Sequence, residues 1–94
     1  DDATDEPGVV KRPDGSWLVD GRLRIAELER AIGASGLLDE EYATVAGLVL
    51  HRMGKLPVVG NAVEFGGYRF EVVDLDGRRI DKILVAKLPA EMEV

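Results

Sequence analysis

The sequence predicts an α+β domain in which a small antiparallel sheet packs against two helices. Three observations carry that prediction. Residues 63–88 spell a β-meander with its turns marked by Gly66-Gly67 and Asp76-Gly77, residues 9–12 and 16–19 read as two short strands flanking Pro13-Asp14-Gly15, and two apolar-patterned helical stretches lie between. Residue pairs able to adopt positive φ between alternating apolar segments are the strongest local hairpin signal.

Within the meander, strands are expected over residues 62–65, 68–75 and 78–88. A type I′ loop at Asp76-Gly77 sets Leu75 opposite Arg78, Val73 opposite Ile80, Glu71 opposite Lys82 and Phe70 opposite Ile83. Strand side chains alternate between faces. One face therefore carries Tyr68, Phe70, Val72, Ile83 and Val85 and is assigned to the core, and the other carries Arg69, Glu71, Lys82 and Leu84. Near the turn the pattern inverts, with Val73, Leu75 and Ile80 apolar on the outer face. A twisted ribbon projecting past the core exposes such residues to a partner or to another segment.

In chain order, residues 1–8 hold four acidic residues, a proline and a glycine without apolar periodicity, the composition of a solvated linker. Residues 9–94 form the folded domain. Trp17, the only tryptophan, is expected to be an anchor against the core. From 24 to 32 the residues Ile25, Leu28, Ala31 and Ile32 fall at helical spacing, with Gly33 as the stop and a poorly signalled start, since neither Leu23 nor Arg24 is a good N-cap. Residues 34–41 connect, and the Leu37-Leu38 pair could pack inward beside a solvated acidic turn at 39–41. Residues 44–53 are apolar on nearly every side, capped by Thr44 and ended by Gly54 and Pro57. Gly47 inside this helix costs about 1 kcal/mol relative to alanine, which calls for a closely packed strand or helix there.

Composition narrows the function. At 94 residues the chain is one domain, with 46% hydrophobic and 32% charged residues, as in ordinary globular proteins. No apolar run approaches the roughly 20 residues of a membrane helix, so no membrane insertion by this segment is expected. Without cysteine there is no disulfide framework or thiolate site. The net charge of −6 argues against a nucleic-acid backbone or an anionic lipid surface as the main partner. The chain starts at Asp1 without an initiator methionine and is expected to be a segment of a longer protein.

No motif assigns chemistry. Gly47…Gly54-Lys55 has the wrong spacing for a phosphate loop and continues with Leu56. Asp74-Leu75-Asp76-Gly77 places its glycine two positions early for a calcium loop and lacks the closing glutamate. His51 is the only histidine, which excludes an imidazole-built metal site, and Ser16 and Ser35 have no activating arrangement. Glu64, Glu71, Asp74 and Asp81 lie on or near the meander, where Arg69, Arg78, Arg79 and Lys82 favour cross-strand pairing over acid–base work. No catalytic or metal-ligating residue is assigned. The candidate interaction residues are Trp17, Leu75 and Ile80.

The stretches SWLVDGRLRIAELERAIG at 16–33 and YATVAGLVLHRMGKLPVVGNAVEFGGYRFEVVDLDGRRIDKILV at 42–85 resemble the CorC/HlyC-type transporter-associated domain. One departure stands at Leu23-Arg24-Ile25, where the family pattern often has a proline after a polar residue. The resemblance implies a non-catalytic cytosolic module at the inner-membrane face of a bacterial magnesium or cobalt efflux, haemolysin-like protein. It also implies an upstream CBS pair and transmembrane domain as partners, with a homodimer as a further option. By fold analogy with flavin-binding oxidoreductases it leaves a second reading open, a module binding flavin adenine dinucleotide or another adenine nucleotide.

Overall fold

The computed structural model describes residues 8–89; apart from Gly8, the expected acidic linker lies outside the described residues. Five strands and two helices follow in the order β1 (Val9–Lys11), β2 (Trp17–Asp20), α1 (Ile25–Ile32), α2 (Val45–Met53), β3 (Ala62–Phe65), β4 (Tyr68–Asp76) and β5 (Arg79–Lys87). The strands form one antiparallel sheet ordered β1-β2-β5-β4-β3. The last of the described strands thus occupies the centre of the sheet.

The core lies between the helices and one face of the sheet. Val19, Phe70, Val72, Ile83 and Val85 from the strands meet Ile25, Leu28, Val45, Leu48 and Val49 from the helices, all buried. Tyr68 adds to the strand contribution at 8% exposure. The inner face expected from the alternation of β4 and β5 is therefore the observed one.

The hairpin register differs from expectation. Asp76 pairs with Arg79, Phe70 with Val85 and Val72 with Ile83, so the loop is Gly77-Arg78 rather than Asp76-Gly77. Gly77 has φ +66° and among the described residues only glycines have positive φ, the pattern of a type II′ turn, whose first central residue alone needs positive φ. A type I′ loop would have forced Asp76 into the left-handed region, which costs an L-residue about 1 kcal/mol or more. Sliding the turn by one residue moves every pairing by two and leaves the faces unchanged. At the first hairpin Gly66 and Gly67 both have positive φ, and Phe65 pairs with Tyr68 as expected.

Two irregularities then reverse the faces near the tip. The pairings run Val72 to Ile83, Asp74 to Lys82 and Leu75 to Ile80, which leaves Val73 extra on β4 and Asp81 extra on β5. A bulge switches which residues point inward. Ile80 consequently lies in the core at 2% exposure and Leu75 packs partly against it. The inversion of the apolar pattern is the mark of paired bulges, and the expectation of an exposed Ile80 is corrected.

The β2–α1 loop closes over this place. Gly21 N–H donates to Asp81 O (2.9 Å), and Gly21 O accepts from Ala46 N–H (2.9 Å). Helix α1 starts at Arg24 without a side-chain cap, as its sequence suggests. Its first amide, Ile25 N–H, is taken instead by Ala43 O (2.9 Å). Helix α2 is capped by Thr44, whose Oγ1 accepts from Gly47 N–H at 3.1 Å. What lies close to Gly47 is the chain just before its own helix: a Cβ there would meet the Tyr42 Cβ at 3.1 Å and Thr44 Oγ1 at 3.3 Å. The approach of a separate strand or helix, expected from the sequence, is not what excludes a side chain. Thr44→Ala should cost about 1 kcal/mol, read as a lower urea midpoint at unchanged slope.

Candidate interaction surface

The sheet face away from the helices carries three rows defined by the strand register. Val10, Leu18, Leu84, Glu71 and Ala62 follow one another across all five strands. Asp20, Lys82 and Asp74 form a row on one side, and Ala86, Arg69 and Glu64 a row on the other. Half-burial is the rule here, with Val10 61% exposed.

The charges on this face pair locally. Arg69 Nη1 donates to Glu71 Oε1 at 2.8 Å, and Lys82 Nζ donates to Asp20 Oδ1. Asp20 also accepts from Gly8 N–H through Oδ2 (2.8 Å), while its own N–H donates to Gly8 O (3.1 Å). Burial raises the Asp20 pKa, but the Lys82 ammonium and the Gly8 amide outweigh it, and the carboxyl lies below its ordinary value. Lys82 is raised by the same bond. Because the Asp20 pKa is lowered and the Lys82 pKa raised, the pair is stabilising at neutral pH; acidification through the lowered carboxyl pKa removes its contribution. Of the four meander carboxylates weighed for acid–base work, Glu71 is thus held by Arg69, and Asp74 stands beside Lys82 in the ladder.

Exposed aliphatic side chains concentrate elsewhere, in the segment from α2 to β3. Leu56, Val58 and Val59 are 69%, 58% and 56% exposed, and Pro57 between them is buried. This segment is tied at several points. Val58 N–H donates to Asn61 Oδ1 (3.0 Å), Asn61 N–H to Val58 O (2.9 Å), and Gly60 N–H to Val72 O (2.8 Å). Two neighbouring valines are thereby presented on a hydrogen-bonded turn. On its flank Arg52 stacks over the Phe65 ring, 4.6 Å from the centroid. No interaction residue is expected in this segment from the sequence. The available signal was an aliphatic run, Leu56-Pro57-Val58-Val59, directly before a Gly-Asn turn.

The sequence-derived interaction residues fall in different places. Trp17 is half-buried, packed on the core with its ring 6.4 Å from Tyr68, and Leu75 is half-buried near the hairpin tip. Ile80 is withdrawn from the surface altogether, so Ile80→Ser would place an unsatisfied hydroxyl in the core. Of the Leu37-Leu38 pair only Leu37 packs inward, with its N–H on Glu29 Oε2 (2.8 Å) and its carbonyl accepting from the Tyr42 hydroxyl (3.1 Å). Ser16 Oγ donates to Asp14 Oδ1 (2.6 Å), and the exposed His51 ring lies against Tyr42.

For a small ligand the sheet offers a concavity of about 130 Å³ lined by Gly8, Val10, Leu18, Asp20 and Lys82. Pockets for drug-sized ligands typically span roughly 300–1,000 Å³. At the start of α2, where free amides would attract an anion, Val45 N–H and Ala46 N–H are already bonded to Leu23 O and Gly21 O. Among the described residues no three His, Cys, Asp or Glu side chains are grouped to hold a metal ion, and no helix is long and apolar enough to cross a membrane.

The CorC_HlyC transporter-associated domain family matches residues 10–89. The chain belongs to this family. Among solved structures, the CorC_HlyC domain of a Xylella fastidiosa hemolysin, in complex with Mg++ and Mn++, superposes with a TM-score of 0.76. It is 44% identical and covers 86% of this chain and 98% of that one. A UPF0053 protein of Synechocystis sp. is 43% identical over 94 residues, covering 97% of this chain and 21% of its own length. The polyamine export protein of Salmonella typhimurium is 37% identical over 90 residues, 95% of this chain and 20% of its own. This CorC_HlyC domain thus spans about a fifth of the curated relatives that it matches.

Proposed function

We propose that this CorC_HlyC domain is a non-catalytic accessory module of a bacterial membrane exporter. In this reading it lies at the cytoplasmic face of the inner membrane, beside a CBS pair and a transmembrane domain, and acts by docking on the other domains of the same protein. The observation that supports docking most is the fixed turn that exposes Leu56, Val58 and Val59. Ordering an aliphatic surface in advance lowers the entropic cost of binding, and a domain that matches a fifth of its relatives has neighbours available to cover it. Trp17 and Leu75, each half-exposed, are secondary contacts in the same proposal.

The cargo is read as a cation. The resemblance points to magnesium or cobalt and the relatives' name to polyamines, both cationic. Flavin or adenine-nucleotide binding has weaker support, given the small concavity on the sheet.

The test is an exchange. This chain replaces the corresponding fifth of the Salmonella typhimurium polyamine export protein, with and without Leu56→Ser, Val58→Ser and Val59→Ser together. The chimera should export, and the triple variant should export at least fivefold less while the 94-residue chain melts within about 2 °C of the parent. Equal export by both chimeras would remove the surface assignment. A concentration-dependent doubling of mass of the isolated chain, abolished by the triple substitution, would reassign the turn to contact with a second copy.

A further inference from the structure

We infer that β1 is a detachable strap, held by Asp20, that opens separately from the rest of the fold and pays out chain between the domain and whatever precedes it. The functional meaning rests on the accessory-module reading, but the opening itself does not.

Three observations support it. Strand β1 has three residues at the sheet edge, and only Val9 is even half-buried while Val10 and Lys11 are exposed. Of this strand only Val9 packs against the core, and only partly, and segments with few buried contacts open at low free energy. Second, one residue makes the catch. Asp20 binds Gly8 twice, through Oδ2 and through its own N–H, and its other carboxylate oxygen is fixed by Lys82. Third, a surface concavity lined by Gly8, Val10, Leu18, Asp20 and Lys82 lies at this catch, so no other segment covers the strap where it is fastened.

Beyond Gly8, the strap is held along β2 to Arg12, whose N–H donates to Ser16 O at 2.8 Å. Opening over residues 8–12 would release five residues, about 17 Å of extended chain. The catch faces two cations, Lys82 and Arg22, and Asp74 and Asp81 lie within electrostatic reach of Lys82; substituting Asp20 leaves Lys82 with those two carboxylates and Gly8 without a side-chain acceptor.

Amide hydrogen exchange on the 94-residue chain tests this. With Asp20→Ala, the Gly8 and Arg12 amides should both exchange at least tenfold faster, while the Val72 amide, bonded to Asn61 O, and the Gly54 amide, bonded to Leu50 O, keep their rates. Lys82→Met should move Gly8 and Arg12 in the same direction by less. If Gly8 alone accelerates, Asp20 is a local contact and there is no strap. If Arg12 in the parent exchanges as slowly as Val72, β1 opens only with the whole domain and the inference fails. Neither outcome bears on export by the chimera, so this inference and the accessory-module reading fail separately.

Discussion

Gly21→Ala is expected to lower the thermal midpoint by roughly 10–20 °C, an effect comparable to a core truncation although only one methyl group is added. The methyl group would stand 2.2 Å from Ile80 O and 3.1 Å from the Ala46 Cβ. A backbone carbonyl at that distance cannot rotate away as a side chain can. Relief requires moving the β2–α1 loop off the bulged part of β5, which breaks the bond from Gly21 N–H to Asp81 O and the one from Ala46 N–H to Gly21 O. Overpacking of this kind costs about 1–3 kcal/mol, occasionally more, and the two bonds add to it. Circular dichroism melting of the variant beside the parent measures the effect. A shift under about 3 °C would mean that the loop yields more easily than its hydrogen bonds imply.

Phe70→Ala should cost about 3–5 kcal/mol. Phe70 is fully buried on the inner face of β4, paired with Val85 of β5 and Val63 of β3. Truncation there removes the largest fully buried side chain and leaves a cavity that the paired strands cannot collapse into. A domain of this length has a total stability of roughly 5–14 kcal/mol, so the variant would be near its limit at 25 °C. Denaturant unfolding of Phe70→Ala beside Phe70→Leu separates lost apolar burial from loss of fold. The leucine variant should retain cooperative unfolding.

The places where sequence and structure agree are those where one local cause decides. Gly66-Gly67 fixes its hairpin because both residues need positive φ, and Thr44 caps α2 because its hydroxyl reaches Gly47 N–H. The inner face of β4 and β5 was legible because period-2 alternation survives a register shift of two. Ile80 was misplaced for a different reason. Its burial depends on extra residues in two strands and on a loop some sixty positions earlier, none of which alternation can report. The exposed turn at Val58–Asn61 was overlooked because exposure is a property of what does not pack above a residue, and the sequence shows only that three aliphatics stand near proline and glycine. Family resemblance supplied what residue chemistry did not, since no group of side chains among the described residues converges on a chemical task.

The central position of β5 has a consequence for how the chain is made. The sheet's N-terminal pair, β1 and β2, joins the C-terminal meander only through β5, in contacts such as Lys82 with Asp20, 62 residues apart. During synthesis from the N-terminus, the first two strands and both helices leave the ribosome well before their sheet partner exists. The domain therefore cannot assemble progressively, and its earlier segments must wait, exposed, for the final strand to emerge. Such non-local pairing slows folding and lengthens the interval in which unpaired edges can meet other chains. A stalled or shortened product lacking the last strand would thus lose the closing piece of both halves rather than a dispensable margin.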